Sequence, residues 1–307
     1  MSMTVAGRRF VFGIASSTSV AAFFAINGCL VLVVKFPVFG QMNATRVSPA
    51  ERAAEIRRAL AEKSHDEWEA VYHGIKQPFS EEEARLYLWK SLGFAIVQFK
   101  VSGIGTVQQS SGRLSLKSTQ GDWGPGHATD TKEFVSLPWG PRLYLVEVNR
   151  VVEFCNAINA GVEPRSAAAG QFLLREGDWQ KKATGFPSIP KPWQQKYILK
   201  EPIETEIQKL VGNFERVEIP EFPYGNGKLE GIRCAVRMGA KHGLRPGMTL
   251  YSTSKALHCS AYVLAINKDT AEIVVLNDDL TVSNAEFKRR LQEGTKLSTR
   301  QIQEGSE

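Results

Sequence analysis

The hydrophobic pattern of this 307-residue chain changes character along its length. Residues 10–34 are an apolar run of 25 positions without a charge, thirteen of them Phe, Val, Ile or Leu. As a helix the run would be about 37 Å long, enough to cross a hydrocarbon core of roughly 30 Å with tilt. Arg8 and Arg9 flank one end and Lys35 the other, and the pattern predicts a single membrane span. A cleaved signal segment ending near Gly40 is the alternative. A lipoprotein-type site at residues 26–29 (INGC) is disfavoured, because Asn27 and the following LVLVV do not suit one. A buried core helix is disfavoured by the arginine pair and the lack of amphipathic spacing. The short two-arginine tail favours a cytoplasmic N-terminus and an extracytoplasmic remainder, although Lys35, Arg46 and Arg52 follow the span.

Beyond the run, Ser48-Pro49-Ala50-Glu51 reads as N-cap, first-turn proline and capping glutamate. It opens a polar helix with Ala53, Ile56 and Leu60 on one side, a stalk or docking helix. From Trp68 the period shifts towards two. WEAVYHG, RLYLW, GFAIVQFKV, IGTVQQ, GRLSLKS and EFVSLPWGPRLYLVEV are strand-like and separated by turn residues. They predict an antiparallel meander, curled into a barrel or half-barrel. A helix is expected near 149–160, with Val148, Val151, Val152, Cys155 and Ile158 on one face and Gly161 as its stop. GQFLLREGD is a further strand, and WQKKATGFPSIPKPWQQKY, with its three prolines, is expected to be an extended surface loop. A strand-like stretch then runs to about Val211.

IPEFPYGNGKLEG has the composition of a boundary linker. After it, IRCAVRMG, MTLYSTS, HCSAYVLAIN, TAEIVVLN and TKLSTR read as five strands. Ser283-Asn284-Ala285-Glu286 starts a short helix through Leu291, closed by Gly294. The expected class is α+β, mainly antiparallel β: an N-terminal transmembrane helix (1–40), a helical segment (41–65), a β-meander or half-barrel domain (66–218) and a small five-stranded β-barrel (219–307).

Charge narrows the function little. The net charge of +6 falls to +3 once residues 1–40 are set aside, leaving 35 basic against 32 acidic residues without a dense basic stripe. No RNA-binding, helix-turn-helix or zinc-finger pattern is present, so nucleic acid is not an expected partner. The four cysteines, Cys29, Cys155, Cys234 and Cys259, include no CxxC and exclude a disulfide-stapled scaffold. A Cys234–Cys259 bond is one reading, and three buried thiols the reading taken.

The segment most like a motif is MGAKHGLRPGMTLY, residues 238–251. A phosphate loop needs a Lys-Ser/Thr pair with a helix opening after it. Here His242 follows Lys241 and a strand is predicted after Gly247. A metal site would gather Cys234, His242, His258 and Cys259, but His258 and Cys259 are neighbours on one strand and point to opposite faces. Turn chemistry remains, with Gly239 and Gly243 free to take positive φ and Pro246 setting the turn. Neither metal nor cofactor is expected.

The same stretch, followed by AYVLAINKDTAEIVV, resembles a recurrent small β-barrel module of bacterial envelope proteins, in which a Gly-x3-Gly-[Leu/Val]-x2-Gly-Met turn introduces the second strand. The matching residues are Gly239, Gly243, Leu244, Gly247, Met248 and Leu250. Upstream, WEAVYHG through GRLSL resembles the opening meander of lipocalin-like bacterial exported proteins. PWGPRLYLVEV through GQFLLREGDW is similar to the middle of exported proteins of unknown function. The resemblance implies fold and an envelope setting, not a chemistry.

Catalytic candidates are sparse. Ser252-Thr253-Ser254-Lys255 matches Ser-x-x-Lys, but that chemistry wants the serine at a helix start, and a strand end is predicted here. Ser64-His65-Asp66 are sequence neighbours, unlike a triad. His127, with Asp130 and Glu133, follows Trp123 in a polar loop; Trp123, His127, Asp130 and Trp139 are the ligand-binding candidates, against a solvated loop as the plain alternative. Trp139, Trp179 and Trp193 are expected to cap the barrel core. The resulting expectation is a non-catalytic binding or scaffolding protein of a cell envelope, anchored through residues 10–34, with an envelope protein or lipid as partner. Its rivals are an envelope hydrolase using Ser252/Lys255 or His127, and a lipocalin-like carrier of a small lipid.

Overall fold

The computed structural model describes residues 68–74, 84–90, 92–98, 101–122, 131–164, 172–218, 228–279 and 281–301, with Glu51, Ala54, Arg58 and Leu60. The predicted span at 10–34 lies outside the described residues, as do Trp123, His127 and Asp130. Among the described residues no helix is long and apolar enough to cross a membrane.

Eight strands open the fold: β1 (Trp68–His73), β2 (Arg85–Trp89), β3 (Gly93–Gln98), β4 (Val101–Ser110), β5 (Arg113–Asp122), β6 (Thr131–Trp139), β7 (Arg142–Glu147) and β8 (Phe172–Arg175). Each runs antiparallel to the one before it, and β8 returns to β1 through Tyr72↔Arg175 and His73↔Leu174. The meander therefore closes into a full barrel. The period of two explains its interior: Leu86, Leu88, Phe94, Ile96, Leu114, Leu116, Phe134, Leu145 and Leu173 meet in one buried cluster. Outside this wall, Leu60 is buried against Trp89, Ala95 and Val97.

Strand β7 is buried on both faces over Tyr144–Val146, which is why LYLV within it is an unbroken apolar run. Val135, Leu137, Tyr144, Val146, Phe172 and Leu174 face away from the interior cluster into a second, larger one. Helix α1 (Val151–Ala160) covers them, closed as expected by Gly161 at φ 72°. Phe154, outside the predicted apolar face, is fully buried and sets its ring edge-on to Tyr144 at 5.3 Å and Phe172 at 5.6 Å.

The segment expected to be an extended loop contains helix α2 (Lys191–Tyr197). Prolines at 190 and 192 suit the helix start, where an amide hydrogen has no intrahelical partner. Trp193 and Tyr197, four apart, fall on one face and pack on the large cluster with Ile189.

The second barrel has six strands, not five: β9 (Glu204–Glu218), β10 (Lys228–Val236), β11 (Thr249–Ser252), β12 (Cys259–Ile266), β13 (Ala271–Asn277) and β14 (Lys296–Ser298), closed in the order β10-β13-β12-β11-β14-β9. The five strands read from sequence are all there. The sixth is β9, which the sequence reading placed with residues 66–218; it pairs with β10 and β14 and belongs to this barrel. Helix α3 (Asn284–Arg290) starts as expected, with Ser283 accepting a hydrogen bond from the Glu286 amide at 3.3 Å. Phe287 and Leu291 then enter the core with Ile232, Cys234, Leu250, Val263 and Ile273. The second barrel's interior and the outer face of β6–β8 are one continuous cluster. Helix α1 joins them by polar contacts too: Asn156 Nδ2 donates to the Gly247 carbonyl at 2.9 Å and to Thr249 Oγ1 at 3.1 Å, and Asn159 bridges the Tyr197 carbonyl and the Leu199 amide.

Candidate functional site

The motif-like stretch 238–251 is a turn between β10 and β11 in which the backbone donors of a phosphate cradle are already engaged. The Ala240 amide donates to the Asn267 carbonyl at 2.8 Å, Lys241 to Lys268, His242 to Gly239, Gly243 to Ala240 and Gly247 to Val263. The Lys241 side chain pairs with Asp269. His242 Nδ1 accepts from the Gly239 amide at 3.1 Å. Gly243 (φ 92°) and Gly247 (φ 85°) take left-handed backbone, but Gly239 does not; its φ is −137°. Gly239 is needed for space, because a Cβ there would meet backbone atoms of Asn267 and Thr270.

The four residues weighed as a metal set, Cys234, His242, His258 and Cys259, do not converge. Cys234 and Cys259 are buried in the core, His258 is exposed, and His242 is held in its own turn. Among the described residues no group of three or more His, Cys, Asp or Glu could hold a metal ion. Burial pushes the thiols of Cys155, Cys234 and Cys259 up to about 12, which keeps them protonated and unreactive near neutrality.

Trp139, the one ligand-binding candidate among the described residues, caps core. Its Nε1 donates to the Gly185 carbonyl at 3.0 Å, and its ring lies 6.3 Å from both Tyr144 and Phe154. Trp179 and Trp193 likewise pack on the large cluster.

Ser252 and Lys255 lie at the end of β11 and in the turn after it, so the helix start that Ser-x-x-Lys catalysis requires is missing. Ser252 Oγ accepts from the Ser254 amide at 3.1 Å, an ordinary local turn bond. These residues do, however, border a half-open pocket of about 90 Å³ that also receives His258, Asp278 and Gln301, over Tyr251 and Leu257. Asp278 accepts from the Ser260 hydroxyl at 3.1 Å. Burial raises its carboxyl above the usual range, while Ser260 and His258 pull the other way. Tyr251 is pushed up to about 12 by burial and by the charges of Asp278 and Glu153, so its phenol stays protonated.

Two further polar centres escaped the sequence reading. Asp178 follows Gly177 in the turn after β8 and is 0 % exposed. It accepts from the Leu143 amide at 2.9 Å, from Arg175 at 3.2 Å and from Lys181. Beside it Arg142 reaches Glu163, Tyr144 and the carbonyls of Lys181 and Trp179. Burial would raise the Asp178 carboxyl, but the hydrogen bonds from Lys181, Leu143 and Arg175 hold it below its ordinary value. This is a clamp tying the loop after β8 to the β6–β7 hairpin. An aspartate in a Gly-Asp turn carries no sign of it, since exposed turns use the same pair.

The other centre is Glu153 on α1, 14 % exposed and 3.2 Å from the buried Arg150. Burial pushes its carboxyl up to about 7, Arg150 lowers it and Glu147 raises it. Its unfolded value is the ordinary 4.5. As pH rises the unfolded chain therefore releases this proton first, and the group's contribution to stability falls between those two values. Glu153→Gln is expected to flatten that fall, read as the urea midpoint at about pH 5 and about pH 8; an unchanged profile would count against the assignment.

Set beside known proteins, the chain matches no family model and no curated sequence.

Proposed function

We propose that this chain is a membrane-anchored, extracytoplasmic binding or scaffolding protein of a cell envelope and that it is not an enzyme. The observation that carries the reading is the continuous core joining the outer face of the first barrel to the interior of the second. It makes two barrels one body that presents its loops and strand ends as binding surface. The strand-end position of Ser252 speaks against the hydrolase alternative at Ser252/Lys255. The mutually packed side chains inside the first barrel speak against a small-lipid carrier. The anchor itself rests on the apolar run at 10–34.

The test is intact mass together with protease accessibility of a C-terminal tag once the outer face of the inner membrane is exposed, followed by chemical cross-linking in intact cells. A full-length, membrane-bound and accessible chain, cross-linked to an envelope component, is the expected outcome. A protected tag reverses the topology and overturns the extracytoplasmic placement; a shortened soluble product reduces residues 10–34 to a signal and overturns the anchor.

A further inference from the structure

We propose that the pocket at the β11–β12 end of the second barrel binds a small zwitterion of amino-acid size, its carboxylate towards Lys255 and His258 and its ammonium towards Asp278. Three features carry this. The first is charge of both signs around one small opening: Lys255 and His258 from the β11–β12 loop, and Asp278 from the end of β13. A multivalent anion would be opposed by Asp278, and a bare metal ion would find one carboxylate between two basic side chains.

The second is unused acceptor capacity. A carboxylate has about four lone-pair sites, and the described hydrogen bond to this one is from Ser260. Asp278 is exposed where it borders the pocket, so an ammonium donor can reach its remaining lone pairs and form a charge-assisted hydrogen bond there. The third is size and floor. A volume of about 90 Å³ is roughly three water volumes, room for about five or six bonded heavy atoms. Tyr251 and Leu257 offer apolar surface for one methyl group. Glycine and alanine meet these limits, and larger side chains would have to leave through the open mouth.

This inference gives the binding reading a ligand class and rests on its non-catalytic side. It does not depend on the compartment, so the two can fail separately. The experiment is calorimetric titration of the full chain in detergent micelles with L-alanine and glycine, and with acetate and methylammonium as half-ligands. Saturable binding of alanine or glycine with a Kd on the order of millimolar is expected, with each half-ligand at least about tenfold weaker. Asp278→Asn and Lys255→Met should each weaken alanine binding about tenfold or more while leaving the melting temperature in place. Absence of saturable binding, acetate binding as well as alanine, or indifference to both substitutions at an unchanged melting temperature would each overturn the proposal. Should one variant fail to fold, the half-ligand comparison on the unaltered chain decides.

Discussion

Asp178→Ala is expected to lower the unfolding free energy by about 3 kcal/mol, near the bottom of the range for breaking a buried ion pair. Asp178 is fully enclosed, whereas Arg175 and Lys181 are 42 % and 45 % exposed and can turn to water when it is removed. The main loss is that of the Leu143 amide's partner and of the pin between the loop after β8 and the β6–β7 hairpin. For a unit of this size the melting temperature should drop by roughly 6–12 °C. The pH dependence has a definite sign. The folded carboxyl is depressed, so its contribution is present above the unfolded value of 3.8 and is lost as pH falls through the folded value. The unaltered protein should therefore lose this stability in acid below about pH 4, and the variant should not. A variant within about 0.5 kcal/mol of the parent in urea unfolding at neutral pH would show that the clamp is ornamental.

Gly239→Ala is expected to be comparably damaging for a different reason. The added Cβ would lie 2.6 Å from the Thr270 amide nitrogen, 2.8 Å from its carbonyl oxygen and closer still to the Asn267 carbonyl oxygen. All are backbone atoms of the β12–β13 hairpin. They cannot retreat without breaking the Asn267–Thr270 turn bond and the Ala240–Asn267 bond, both 2.8 Å. Overpacking of this kind costs about 3 kcal/mol. Gly294→Ala is the control: its φ of 85° is left-handed but nothing surrounds the new methyl, so only about 1–2 kcal/mol of backbone strain is expected. If the two variants melt together, the close approach at Gly239 is not what the motif glycine is for.

Gly239 also illustrates how sequence reading succeeds for partial reasons. The turn was legible from its glycines and Pro246, and Gly243 and Gly247 have the positive φ that such turns use. That Gly239 serves a close approach was not legible, because the atoms it must avoid belong to a hairpin about thirty residues away along the chain. The pocket is similar. Ser252 and Lys255 drew attention as a motif, but Asp278 joins them only because β13 pairs with β12 from Cys259↔Asn277 onwards.

What this sequence determined alone is what depends on neighbours a few positions apart. Alternation placed the strands from WEAVYH to KLS. The 3.6-residue period and Gly161 placed α1, and the Ser283 cap placed α3. What only the tertiary structure decided is which elements meet. Strand β9 reads as the tail of the first module, yet it closes the second barrel because Glu204–Glu206 pair with residues 296–298, about ninety positions on. RLYLVEV could not reveal what covers its second face, nor KPWQQKY that a core awaited Trp193 and Tyr197. Local periodicity records that a residue is to be buried. The partner that buries it is chosen by long-range packing, where many pairings of similar strands differ by little locally and only the closed barrels with one shared core satisfy them together.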